Sequence, residues 1–411
     1  MENNMKVIGE SLNSFQAALN QNNSSLGEFI KENYTDKWLS DSIYHAMQIR
    51  TAFVQAANNF LADEGLLNIE KVMLGIITDP LAHDIEHTPS IKYKGHNYVT
   101  THSMIYNKFL ACANKNLKGI YTDSSNIRLE LESPTNTQRG RYIIDFSQID
   151  IELRRNRDVS LNDYFSNVKK VTEVLNEDMS IVKNFFERLI ISITEEINKK
   201  QSDALSKLGI ALEVPKSPFP SFYKDEASRK YGQKNFEKNL GEETKSQFFW
   251  ITGLARENYD LIYPYLSNDN KKTSPYNASS KNIFNYDILA KSIDKKSGKQ
   301  SDALEILSGG IREWLYEPII ERLLDNKVLP VQPVFKNGNI ENINDLGGYG
   351  PFLYFASMKD GKGKNIFPDT MGGGIGIERT LYSILKGEKI TKIDDLTFFG
   401  KNPDSHPIYL F

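Results

Sequence analysis

Near the end of the chain, MGGGIGIERTLYSIL (371–385) sets four glycines within five positions and follows them at once with Glu378 and Arg379. So bare a strand is costly in backbone entropy and is kept where a ligand or another backbone comes very close. A tightly packed core strand is the alternative. Gly374 and Gly376 look like the opening of a G-x-G-x-x-G dinucleotide fingerprint. However, the third glycine position holds Arg379, and too little chain follows for a βαβ unit. No G-x-x-x-x-G-K-[ST] occurs, so a P-loop is excluded as well.

A second group lies in NIRLELE (126–132) and RYIIDFSQIDIEL (141–153), which read as a long antiparallel hairpin joined by the turn-forming SPTNTQRG. Strand alternation puts Arg128, Glu130 and Glu132 on one face, and Ile144, Phe146, Gln148 and Asp150 on one face of the partner. Charges lined along a strand often face solvent. An arginine for phosphate beside an aromatic plate for a base is also what a nucleotide needs.

The third group is Asp287 in FNYDILA and Glu305 in LEILSGGIRE, acids set within apolar strands where an unpaired carboxylate is expensive to bury. Each calls for a cation. Mg²⁺ with phosphate oxygens would serve, and so would a lysine or arginine in a plain salt bridge. Arg312, seven residues beyond Glu305, is either that structural partner or a clamp on an anionic substrate. His83 and His87 in AHDIEH stand i, i+4, but the prolines at 80 and 89 mark a loop, which argues against zinc. There is no G-x-S-x-G elbow, and the one cysteine, Cys112, lies in the apolar run FLACAN.

The elements that must position these groups follow from hydrophobic periodicity. Residues 38–62 form a long amphipathic helix stopped by Gly65, and LLNIEKVMLGIITDP reads as a strand ending at Pro80. NYVTT (97–101) is a strand, 103–116 a helix, and about 160–213 a helical insertion with a charged outer face. IFNYDILA and ALEILSGG form a further β pair, and GIREWLYEPIIERLLD an amphipathic helix. Polar loops occupy 266–281 and 291–302. The fold class is α+β, a mostly antiparallel sheet flanked by helices. Residues 1–34 form an N-terminal helical extension, and 35–411 one domain.

The chain has 411 residues, 50 basic and 53 acidic side chains and a net charge of −3, so no overall basic field marks it as a nucleic-acid binder. One cysteine makes no internal disulfide and suits a reducing cytoplasm. Neither a leader nor an 18-residue apolar run is present, so no membrane partner is expected.

Taken in order, the long helix and strand, the IRLE…IIDFSQIDIE hairpin, the YDILA…EILSGGIR pair and GGGIGIER resemble the catalytic core of class II aminoacyl-tRNA synthetases of the aspartate/asparagine subgroup, over about residues 35–400. Motif 2 is matched by Arg128, Glu130, Asp145 and Phe146, and motif 3 by Gly372, Gly374, Gly376, Glu378 and Arg379. Motif 1 departs from its pattern: Val72 stands where a proline belongs, which touches the dimer interface.

The resemblance implies a homodimer that uses ATP and Mg²⁺. It implies that Arg128, with Glu130, binds ATP and the substrate carboxylate, that ATP lies along Gly374 and Gly376, and that Phe146 and Arg379 flank adenine. Asp287 and Glu305, with Ser308, would carry Mg²⁺, and Arg141 at the hairpin tip would close over the pyrophosphate. Arg312 and Lys108 would grip a side-chain carboxylate, with Ser103 and Gln148 lining the substrate pocket. The sequence shows no N-terminal anticodon-binding barrel, and it is similar to truncated paralogues, the archaeal-type asparagine synthetases. That likeness implies activation of aspartate as an acyl-adenylate and transfer to ammonia or a small amine, with tRNA set aside. Charging of a tRNA, carrier or protein lysine is the alternative.

Overall fold

The computed structural model describes residues 25–400, apart from 79–88, 129–142, 156–158, 257–258, 265–277, 326, 337–338, 362 and 364, together with residues 13, 16, 17, 19 and 20. Its strands, in chain order, are β1 (Leu67–Asn68), β2 (Leu74–Gly75), β3 (Ser90–Tyr93), β4 (His96–Thr100), β5 (Gly119–Ile127), β6 (Asp145–Arg154), β7 (Ile210–Ala211) and β8 (Ser221–Tyr223). They continue with β9 (Phe248–Thr252), β10 (Asn285–Ala290), β11 (Ile293–Asp294), β12 (Leu304–Ile311), β13 (Phe335–Lys336), β14 (Asn339–Ile340) and β15 (Thr370–Gly376). Eight of them form one sheet in the order β1-β5-β6-β15-β12-β10-β9-β8. The end pairs β1/β5 and β8/β9 are parallel, and the pairings between them are antiparallel.

The alternation of β6 decides what each face of this sheet does. Ile149, Ile151 and Leu153 are buried on one side, while Phe146, Gln148, Asp150 and Glu152 stand on the other. The apolar side continues through Ile375 of β15, Leu307 of β12 and Ile288 of β10. Three helices cover it: α1 (Asp41–Asp63), the 41-residue α3 (Val168–Leu208) and α5 (Ile377–Leu385). Phe53, Phe186, Ile190 and Leu381 are among the residues they bring to the core. Each such side chain contributes about 1.5–3 kcal/mol on burial. Two further helices, α2 (Ile105–Cys112) and α4 (Tyr316–Asp325), share a second apolar cluster that includes Phe109, Ile319 and Phe352. Among the described residues no helix is long and apolar enough to cross a membrane.

Several elements differ from expectation, and backbone hydrogen bonding gives the reason. The 66–80 strand is two fragments: Ile69 still donates to Tyr121 O (2.9 Å), but Met73 O then accepts from Thr101 and the chain joins a separate sheet with β3 and β4. Of the strand expected at 126–132, residues 129–132 lie outside the described residues, and its described part begins earlier, because GIYTDSSNI (119–127) pairs with β6 from Asp145 to Leu153. The helix expected at 103–116 is only Ile105–Cys112, and α3 stops at Gly209 (φ 78), short of 213. GIREWLYEPIIERLLD yields a helix only from Tyr316, since Ile311 and Arg312 donate to Phe284 O and Thr370 O within the sheet.

Candidate active site

Residues directly opposite each other across a ladder project from the same side of a sheet. Gln148 lies opposite Gly376, Asp150 opposite Gly374 and Glu152 opposite Gly372; Gly374 is in turn opposite Ser308, and Ser308 opposite Asp287. The covered face is therefore balanced by a polar one, crossed in the middle by a stripe without side chains. The neighbours enforce that stripe at two points. A Cβ on Gly372 would lie 2.2 Å from Ile151 O and 2.6 Å from the Glu152 carboxylate, and one on Gly310 would lie 2.7 Å from Asp260 Oδ1. The close approach expected of so bare a strand is met by the chain itself. Backbone packs against backbone, and the polar face above it stays open.

One end of this face is a buried ionic cluster. Lys108, projecting from α2, donates to Asp150 Oδ1 (2.8 Å) and lies 3.7 Å from Glu152. Arg312 donates to Glu152 (3.2 Å), Asp260 (3.0 Å) and Gly372 O (3.1 Å). Ser124 donates to Asp150 (2.5 Å) and Asn285 to Asp260 (2.8 Å), so both oxygens of each acid have a donor. Burial pulls the Arg312 pKa down, but Glu152 and Asp260 outweigh it and hold the guanidinium above its ordinary value. Asn126 reaches both Ser124 (3.0 Å) and Gln148 (3.1 Å), so Gln148 belongs to the same network.

The other end is more open. Arg128 donates twice to His102 O, at 3.0 and 2.9 Å, and its guanidinium stacks 5.2 Å from the Phe146 ring centroid. Ser103 follows that carbonyl, half-buried in the turn ahead of α2. Arg379, in the first turn of α5, donates to Glu305 (3.2 Å). Strict alternation would send Glu305 to the apolar side with Leu307. A register shift between Ile288 and Leu289 pairs Glu305 with Leu289 and turns it to the face of Ser308 and Asp287. Ile306 and Leu307 both stay in the core. Burial pushes the Asp287 carboxyl up to about 7, against the pull of Arg256, which donates to it. Arg256 also donates to Ser308 (2.7 Å).

The sheet thus brings Arg128, Phe146, Gln148, Gly374, Gly376, Ser308, Asp287, Glu305, Arg312, Arg379 and Lys108 to one side. Glu130 and Arg141 lie outside the described residues, as do His83 and His87. Sequence reasoning missed Glu152, Asp260 and Arg256. Glu152 was readable from the alternation that exposed Phe146 and Asp150. Asp260 and Arg256 lie on the segment after β9 without periodicity, and only the need of a buried acid for a cation hinted at an arginine. Glu378, quoted with the glycine motif, serves as a strut: it accepts from Ser147 N (2.9 Å) and pairs with Arg50 (3.3 Å).

The family model of class II tRNA synthetases (D, K and N) matches residues 28–403. The aspartate–tRNA(Asp/Asn) ligase of Archaeoglobus fulgidus is 22% identical over 338 residues, covering 82% of this chain and 64% of the relative. The chain therefore spans a little under two thirds of that protein. Among solved structures, asparaginyl-tRNA synthetase from Pyrococcus horikoshii complexed with asparaginyl-adenylate superposes with a TM-score of 0.59 at 16% identity, over 89% of this chain and 70% of that one. Aspartyl-tRNA synthetase from Entamoeba histolytica gives 0.53 at 19% identity, over 88% and 59%.

Proposed function

We propose, for a chain that belongs to the class II tRNA synthetase family of the D, K and N type, that its polar sheet face joins ATP to an amino acid of the aspartate or asparagine kind as an aminoacyl-adenylate. The observation that carries this is the arrangement along the glycine stripe: Arg128 over Phe146 on one side, Arg379 with Glu305 on the other, and the Lys108–Arg312 cluster at the end. ATP fits along Gly374 and Gly376 with its base at Phe146 and its phosphates between Arg128 and Arg379. The amino acid lies toward Lys108, Gln148 and Arg312, with Ser103 at the margin, and its carboxylate faces Arg128. No general base is required. Aligning the two reactants can supply about 7–11 kcal/mol of barrier reduction, and guanidinium groups that neutralise phosphate charge add to it.

Asp287 and Glu305 act on each other through space, with Ser308 opposite Asp287, and no cluster of three His, Cys, Asp or Glu metal ligands exists among the described residues. Two carboxylates fit Mg²⁺, which keeps waters and takes phosphate oxygens where Zn²⁺ would need a full set of protein ligands. When bound, such an ion would neutralise phosphate charge and hold the triphosphate in place.

For the acceptor, tRNA is the reading the relatives favour, since both the sequence relative and the solved structures carry tRNA-charging names. A net charge of −3 does not outweigh that. Ammonia, giving an asparagine synthetase-like ligase, is the second reading; it rests on the sequence likeness to truncated paralogues. Incubating the protein with ATP, Mg²⁺ and aspartate or asparagine, then offering tRNA, ammonia or hydroxylamine in parallel, separates them. Acyl-tRNA is the expected product. Free asparagine formed from aspartate and ammonia, with no acyl-tRNA, would replace the first reading by the second.

A homodimer also fits. Leu67, Met73, Leu74, Ile76, Ile91 and Tyr93, on or beside β1, β2 and β3, are all exposed, and exposed apolar side chains gathered together mark protein–protein contacts.

A further inference from the structure

The arginine on the segment after β9 has no part in the reading above. Arg256 donates through Nη2 to Asp287 Oδ1 and through Nη1 to Ser308 Oγ (2.7 Å), so its guanidinium holds two of the three groups assigned to the magnesium site. Nη1 is also 4.0 Å from Asp260 Oδ2. Asp260 is itself held by Arg312 (3.0 Å) and Asn285 (2.8 Å) and is therefore fixed in place. Arg256 is 26% exposed, whereas Asp287 is 8% exposed. The carboxylate is thus the more deeply buried of the two, and the cation is the more exposed.

We propose that Arg256 is a built-in counter-cation of the metal site: its guanidinium stands on Asp287 and Ser308 until a divalent ion takes its place, and it then shifts onto Asp260. This rests on the reading of Asp287 and Glu305 as the metal acids. A buried carboxylate without a counter-charge is costly, so the metal-free chain needs a cation there. Arginine stays charged at every accessible pH, so it clears the site only by moving. Asp260 offers a second carboxylate within reach. The arrangement also makes the bare ion a weak ligand, because each binding event must displace a guanidinium. ATP, which brings phosphate oxygens for the ion and negative charge for the arginine, makes the exchange favourable.

The test is Mn²⁺ titration of the full chain without nucleotide, read from the electron paramagnetic resonance signal of the free ion. Arg256→Gln, which keeps a donor and loses the charge, is expected to bind Mn²⁺ at least about tenfold more tightly than the wild type, since a unit charge a few ångströms from the ion is removed. Arg256→Lys should stay close to wild type. Unchanged or weaker Mn²⁺ binding by Arg256→Gln overturns the proposal. The underlying metal reading is tested separately with Asp287→Asn and Mn²⁺ plus a non-hydrolysable ATP analogue. Retained Mn²⁺ binding there removes both ideas, whereas lost binding without tightening in Arg256→Gln removes only the counter-cation. Should the Gln variant not fold, a crystal of the wild type with Mn²⁺ and the analogue decides. The guanidinium is expected off Asp287 and near Asp260, and a guanidinium still on Asp287 beside the ion refutes the exchange.

Discussion

The two ends of the polar sheet face are built in opposite ways. At the Lys108–Arg312 end every charge is paired inside the chain and nearly sealed: Lys108 and Asp150 are 2% exposed, Glu152 0% and Arg312 7%. At the Arg379–Glu305 end the partners are 30% and 40% exposed. The sealed end is fixed before any substrate arrives, because moving one of its members would strand a buried charge. The open end holds its groups in more exposed pairs, which under the proposed function a triphosphate and an ion would take over. On the proposed function, a rigid selector and an exchangeable phosphate cradle would share one glycine-floored surface.

Substitutions should break this contrast by unequal amounts. Arg312→Leu leaves buried Glu152 with only Lys108 at 3.7 Å and buried Asp260 with only Arg256 at 4.0 Å, and is expected to lower stability by about 3–5 kcal/mol, measured by urea denaturation, while raising the KM for the amino acid more than that for ATP. Gly372→Ala forces a methyl against Ile151 O and is expected to cost about 1–3 kcal/mol in the same assay. Arg379→Ala, losing a half-exposed pair, should change stability by less than about 1 kcal/mol yet reduce adenylate formation about a hundredfold or more. Equal stability losses for Arg312→Leu and Arg379→Ala would erase the distinction between the ends. The smallest effect belongs to Cys112, whose thiol burial pushes up to about 12. It is expected to stay unmodified by a thiol reagent at neutral pH until the protein unfolds.

Much of this was legible in the sequence because it is written in alternation. Phe146, Gln148 and Asp150 follow the period of a strand, and the acids Asp287 and Glu305 stand out against apolar neighbours. Other features were not legible, each for a physical reason. The shift that turns Glu305 to the polar face is a one-residue irregularity in ladder pairing, which leaves no trace in composition. The early start of β5 is set by the hydrogen bonds of β6, against a run of small polar residues, DSSN (123–126), with little strand propensity of its own. Arg256 and Asp260 meet their partners across 31 and 52 residues of chain, through contacts that only the folded sheet creates.

The most direct test of the central claim is the exchange of labelled pyrophosphate into ATP by the purified chain with Mg²⁺, in the presence of aspartate or of asparagine. Exchange that depends on one of these amino acids and disappears in Arg379→Ala is the predicted result. Tight ATP binding with no exchange from either amino acid would contradict it.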